Sequence, residues 1–196
     1  MKSQEYSKPL LSVRQLTVVA MLAAVSVVLG VSGYGFIPLP MIKATVMHIP
    51  VIIGAILEGP RVGVMVGLLF GLFSILQNIL APNLLSFALL NPLVSVVPRI
   101  LIGLVAYYCY KVAIGNAVWR IGLGAVLGSL VNTVGVMGMI YLLYVADFAA
   151  AKGISLAAAR AAIGSVIIVN GIPEAIISAL ITIPVILMLK KMRGLR

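Results

Sequence analysis

One cysteine, one histidine, one tryptophan and four acidic side chains are all that 196 residues hold of those types. Each shortage closes a class of function. Cys109 alone builds neither a disulfide framework nor a cysteine-rich metal site. His48 has no Cys, Asp or Glu beside it, so no metal centre is expected there. No G-x-x-x-x-G-K-[ST] loop occurs, so the chain is not expected to bind and hydrolyse ATP in that way. No nucleophile–base constellation stands out, and no strong internal repeat of the secondary-transporter kind is visible. The chain is read as a non-enzyme without a cofactor. Charged residues are also scarce, 9% against about 25% in an ordinary soluble domain.

What fills the space is apolar. Hydrophobic residues make up 63% of the chain, against roughly 45–50% in soluble domains. In water such a chain would bare too much apolar surface, whereas in lipid that surface has a solvent. A membrane-crossing helix needs about 20 apolar residues, so six crossings use nearly the whole chain. The expectation is one all-α integral membrane domain over residues 1–196, with no room for a soluble catalytic domain. A net charge of +10 would point to nucleic acid in a soluble protein. Here the few cations read as topology signals, and the expected surroundings are membrane lipid.

Runs and their punctuation place six segments at about 14–31, 44–58, 62–79, 85–110, 118–145 and 161–189. The first apolar run, Leu16–Val31, is preceded by about 15 polar or mixed residues and reads as a retained helix rather than a cleaved leader. The alanine-rich stretch 147–160 holds Asp147, Lys152 and Arg160 and is expected to be a loop with a short helix. Lys2, Lys8, Arg14, Arg61, Lys111, Arg120, Lys190, Lys191, Arg193 and Arg196 then fall on one side of the membrane. Only Lys43, Lys152 and Arg160 fall on the other. The positive-inside rule assigns both termini to the cytoplasm. Pro50, Pro92, Pro98, Pro173 and Pro184 lie within segments. They read either as packing kinks or as bends opening a cavity between the fourth and sixth segments.

Ionisable groups in the bilayer centre cost about 2.5–3.5 kcal/mol each on insertion scales, yet two are there. Arg99 lies about 14 residues into the fourth segment and Glu174 about 13 into the sixth, both near mid-depth at 1.5 Å per residue. Asn132 of the fifth segment lies at a similar level, and Asn170 is one turn from Glu174. Asn91, Ser95 and Arg99 form a stripe at i, i+4 and i+8. Lipid offers these groups no partner, so they are expected to face one another or a wet hollow. One reading is an Arg99–Glu174 ion pair stapling two helices. The other is a small-molecule pocket with that pair in its floor. An arginine fork suits a carboxylate, and asparagines suit amides and hydroxyls. His48 reads as a packed or capping residue that is also a candidate contact. Gln77 and Asn78 read as interfacial.

Small residues recur four apart, at Ala20 and Ala24, at Gly63, Gly67 and Gly71, and at Gly124 and Gly128. In lipid such stripes let helices approach closely, and most are expected to serve internal packing.

Four stretches together resemble a known family. They are Phe36-Ile-Pro-Leu-Pro40, Met47-His-Ile-Pro-Val-Ile-Ile-Gly-Ala-Ile-Leu-Glu-Gly-Pro60, Gly67-Leu-Leu-Phe-Gly-Leu-Phe-Ser74 and Asn91-Pro-Leu-Val-Ser-Val-Val-Pro-Arg-Ile-Leu-Ile-Gly103. The chain is similar over essentially its whole length to the substrate-binding (S) components of energy-coupling factor vitamin transporters, in the branch of predicted pantothenate carriers. That resemblance implies six helices with both termini inside. It implies a vitamin pocket built largely by helices 4 to 6 and capped by the loop between helices 1 and 2. It further implies docking on a transmembrane T component through Ala20 and Ala24, and two ATP-binding subunits that power release.

Pantothenate would offer a carboxylate to Arg99, and an amide and hydroxyls to Asn91, Asn132 or Asn170. Glu174 is awkward for an anion. Flat vitamins (riboflavin, folate, pyridoxine, hydroxymethylpyrimidine) call for stacking rings. Trp119 lies at the wrong end for an outward pocket, while Tyr34, Phe36 and Phe87 keep that option open. Two further alternatives stand. One is a stand-alone ion-coupled transporter of a small organic acid using Arg99 and Glu174. The other is a membrane scaffold or intramembrane enzyme.

Overall fold

In lipid a long apolar run satisfies its backbone by coiling. The computed structural model, which describes residues 11–38 and 43–194, is accordingly a helix bundle. Lys2, Lys8 and Arg196, used above for orientation, lie outside the described residues, as do Leu39 and Pro40. The side chains of Phe36 and Lys43 are likewise not described.

Helix α1 (Val13–Ser32) starts where Ser12 and Gln15 cap each other. The Gln15 N–H donates to Ser12 Oγ at 3.2 Å and the Ser12 N–H to Gln15 Oε1 at 3.0 Å. It stops at Gly33, whose φ of 76° is left-handed. Strands β1 (Phe36–Pro38) and β2 (Lys43–Thr45) then pair antiparallel, Phe36 opposite Thr45 and Pro38 opposite Lys43.

Helix α2 (Ile49–Glu58) begins five residues after the expected position 44. Pro50 is the reason. In the first turn its missing N–H is harmless, but a helix continued backwards would drive its ring into the carbonyl of Val46. Gly59 and Pro60 turn the chain straight into α3 (Pro60–Leu80).

The segment expected as one helix over 85–110 is three pieces, α4 (Ser86–Leu89), α5 (Pro92–Ser95) and α6 (Val97–Val112). Asn91 is extended, and its side chain accepts from the Leu93 N–H at 2.9 Å, so a fresh helix starts at Pro92. Asn116 caps α7 (Ala117–Leu143) in the same manner. The stretch 147–160 divides. Part is the short helix α8 (Val145–Lys152). After Gly153, Ser155 caps α9 (Leu156–Met192), which therefore starts earlier than expected. Pro173 and Pro184 lie inside α9 without ending it.

Two apolar clusters fill the bundle. One surrounds α2 and takes in Ile52, Val62, Ile102, Ile121 and Ile186. The other joins Val94, Val136, Ile140, Phe148 and Ile163. Among the described residues five stretches are long and apolar enough to cross a membrane: α1, α3, Pro92–Val112, α7 and α9. Helix α2 is not one of them. Its 10 residues reach about 15 Å, half of a hydrocarbon core of roughly 30 Å. It is buried from 49 to 56 among its neighbours, which is where so apolar a short helix belongs.

One acid gathers three chain segments. Glu58, at the end of α2, accepts from Arg14 Nη2 at 2.9 Å and from Arg193 Nη1. Gln15 Nε2 donates to the Glu58 carbonyl at 3.3 Å. The start of α1, the end of α2 and the end of α9 therefore meet at one end of the bundle.

A polar cavity inside the bundle

Between the two apolar clusters lies a cavity of about 400 Å³, within the usual range of about 300–1,000 Å³ for small-molecule sites. Its walls take Met47 and Phe70 from one cluster and Val136 from the other. Of the residues singled out in the sequence, Arg99, Asn132, Asn170 and Glu174 line it together. They come from α6, α7 and α9.

Helix α6, which carries Arg99, passes close to α3. A Cβ at Gly67 would overlap the Arg99 carbonyl group. The side chain is 7% exposed. Its Nη1 donates to the Val94 carbonyl at 2.8 Å, and its guanidinium lies 5.6 Å from the centre of the Phe70 ring. Among the described residues its Nε has no partner, and neither has Oδ1 of the buried Asn132. A buried cation and a buried amide with open valences are costly unless something completes them.

Glu174, 4% exposed, is bound differently. Its Oε1 accepts from the N–H and the hydroxyl of Thr45, both at 2.9 Å, and its Oε2 from the Thr133 hydroxyl at 2.6 Å. Among the described residues it forms no ion pair with Arg99.

Gln77 and Asn78, read as interfacial, both line the cavity. The Asn78 carbonyl oxygen takes Asn83 Nδ2 at 2.9 Å and the Ser86 hydroxyl at 2.8 Å, and its amide donates to the Ser74 carbonyl at 2.8 Å. Gln77 Nε2 donates to the Gly30 carbonyl at 3.2 Å, joining α3 to the end of α1. Thr45, Thr133 and Phe70 are lining residues that hydropathy does not distinguish from their neighbours.

Asn91, Ser95 and His48 stand elsewhere. Asn91 caps α5 and donates to the Tyr144 hydroxyl at 2.9 Å. Ser95 donates to the Leu89 carbonyl. His48 is 1% exposed at the start of α2, and among the described residues neither ring nitrogen finds a hydrogen-bond partner. Among the described lining residues Phe70 is the one aromatic. Tyr34 and Trp119 are exposed, and Phe87 packs edge-on against Tyr144. Ala20 and Ala24 are exposed on α1, on the flank next to its buried Val19 and Ala23. Among the described residues no group of three or more His, Cys, Asp or Glu side chains is placed to hold a metal ion.

Long apolar helices around a buried polar cavity define a polytopic membrane protein with room for a small polar molecule. Comparison with known proteins narrows the class. Residues 14–186 match the model of the family described as "ECF transporter, substrate-specific component". The "Pantothenic acid transporter PanT" of Lactococcus lactis subsp. cremoris is 30% identical over 171 residues, covering 80% of this chain and 82% of that protein. The "Pantothenate transporter PanT" of Leuconostoc mesenteroides subsp. mesenteroides is 34% identical over 113 residues, covering 53% and 55%. The chain belongs to the family of ECF transporter substrate-specific components, and it is a multi-pass protein of the cell membrane.

Proposed function

We propose that this chain captures pantothenate from outside the cell. It would hand the vitamin inward through a transmembrane T component and two ATP-binding subunits, acting as a binding component rather than an enzyme. The observation that carries the reading is the buried, incompletely bonded Arg99 in a cavity shared with Asn132 and Asn170. Two relatives named as pantothenate transporters support the choice of ligand. The guanidinium takes the carboxylate, where a charged hydrogen bond is stronger than a neutral one. The asparagines take the amide and hydroxyls. His48, Asn91 and Ser95 shape the site from behind its lining, and Ala20 and Ala24 remain the proposed docking face for the T component.

The membrane arrangement belongs to the same proposal: one integral domain with six crossings and both termini cytoplasmic. Helix α2 and the hairpin before it form the short second crossing. The shared contact of Arg14 and Arg193 with Glu58 supports an even number, since it brings the first and last helices to one face.

The test is binding to the purified chain. Pantothenate is expected to bind by titration calorimetry, and panthenol, which replaces the carboxylate with an alcohol, is expected not to. Arg99→Ala should lower pantothenate affinity by about 10- to 150-fold, from a charged hydrogen bond of about 1.5–3 kcal/mol. Equal affinity for acid and alcohol in the unaltered chain would refute the reading.

A further inference from the structure

Glu174 is the acid that an anionic ligand should avoid, yet it sits in the same cavity as Arg99. Its hydrogen bonds explain how it is tolerated. Of the roughly four acceptor positions on a carboxylate, three are taken by protein donors, two from Thr45 and one from Thr133. These donors come from β2 and α7, while Glu174 itself is on α9. One buried side chain therefore ties three elements that are far apart in the chain.

The tie matters most for β2. The strand is three residues long, and its partner β1 is no longer. A two-stranded hairpin is marginal by itself in water, so its position depends on what anchors it. Thr45, the last residue of the ladder, and Met47, just beyond it, form part of the cavity wall. Met47 is held from another side, since the Ser26 hydroxyl donates to its carbonyl at 3.1 Å. Thr45 is held by Glu174.

We infer that Glu174 is a positioning residue. By gripping Thr45 it fixes the 45–47 wall of the cavity, and it governs how long a ligand stays rather than which ligand is chosen. The inference rests on the proposed function only for the identity of the ligand.

Thr45→Val removes the hydroxyl but keeps the branched shape and the backbone N–H, and Thr45→Ser restores a hydroxyl. In the intact chain, Thr45→Val should speed pantothenate dissociation about tenfold or more, tenfold being the lower end of what one hydrogen bond to a charged group is worth, with association changed less than twofold. Thr45→Ser should release ligand at close to the original rate. In a Glu174→Ala background, Thr45→Val should add nothing, because both remove the same contact. Hydrogen exchange of the peptide carrying Thr45, measured without ligand, should be faster in Thr45→Val and in Glu174→Ala. Unchanged dissociation in Thr45→Val, or unchanged exchange in Glu174→Ala, would overturn the assignment. If Glu174→Ala does not fold, the Thr45 pair decides alone. If the unaltered chain binds no pantothenate, the proposed function fails, while the exchange experiment still judges Glu174.

Discussion

Adding one methyl group at Gly67 tests how tightly Arg99 is held. Carbon atoms rest about 3.5–4.0 Å apart. A Cβ on Gly67 would lie 2.8 Å from the Arg99 carbonyl carbon and closer still to its oxygen, with Ile100 Cα at 3.2 Å. The obstacle is helix backbone, so no rotamer change relieves it, and α6 must retreat from α3 by roughly 0.7 Å or more. Overpacking of this kind costs about 1–3 kcal/mol. Alanine also favours a helix over glycine by about 1 kcal/mol, which must be subtracted. Gly138→Ala on α7 supplies that correction, since a Cβ there meets nothing within 4 Å. The difference between the two variants isolates the clash. For a chain of this size it should appear as about 2–4 °C of Tm per kcal/mol in thermal unfolding in one detergent. Because the displaced group is the backbone of Arg99, Gly67→Ala should also weaken pantothenate binding, and Gly138→Ala should not. Equal Tm and equal affinity in the two variants would refute the close approach of α3 to α6 and the positioning argument built on it.

Other outcomes follow from contacts described above. Ala20→Leu with Ala24→Leu should leave ligand affinity intact while blocking uptake in cells that hold the T component and ATPases. Normal uptake would remove the docking role. Glu58→Gln should loosen the last turn of α9, read as faster hydrogen exchange there. Its stability cost should be about 1.5–3 kcal/mol and only partly screened by salt, because both arginines reach solvent while the Glu58 side chain that they share is 8% exposed. Arg99→Lys keeps the charge but loses the planar fork, and its pantothenate affinity should fall between those of the unaltered chain and Arg99→Ala.

Legibility followed the strength of each physical signal. The ends of α1 and α3 and the start of α7 are readable because long apolar runs stop at glycines, prolines and capping residues. The division of 85–110 was not, since Leu, Val and Ala have the same hydropathy in a helix as in the breaks at Asn91 and Val96. Pro92 marked the place, but a proline alone does not say whether a membrane helix bends or restarts. The β1–β2 hairpin escaped because strands of three residues carry no measurable alternation, and the Phe36-Ile-Pro-Leu-Pro40 stretch reads as loop. In the cavity, cost made residues visible. Arg99, Glu174, Asn132 and Asn170 were conspicuous at mid-depth and do share a wall. Thr45 and Thr133 were silent, because a threonine inside a bilayer costs little and attracts no notice, yet both hold Glu174. Asn91 and Ser95 show the converse. Their spacing put them in line with Arg99, but a broken helix does not keep one stripe, and each turned to a local backbone partner.

Helix α9 carries one more implication. Its 37 residues make a rod of about 55 Å, far longer than the roughly 30 Å of oil it has to cross. A rod that long either leans or protrudes. Its tilt is then set partly by the surrounding bilayer, through hydrophobic mismatch. Since Glu174 and Asn170 ride on this rod, any change in its lean carries both side chains with it, so lipid tail length belongs among the variables of a binding measurement at this site.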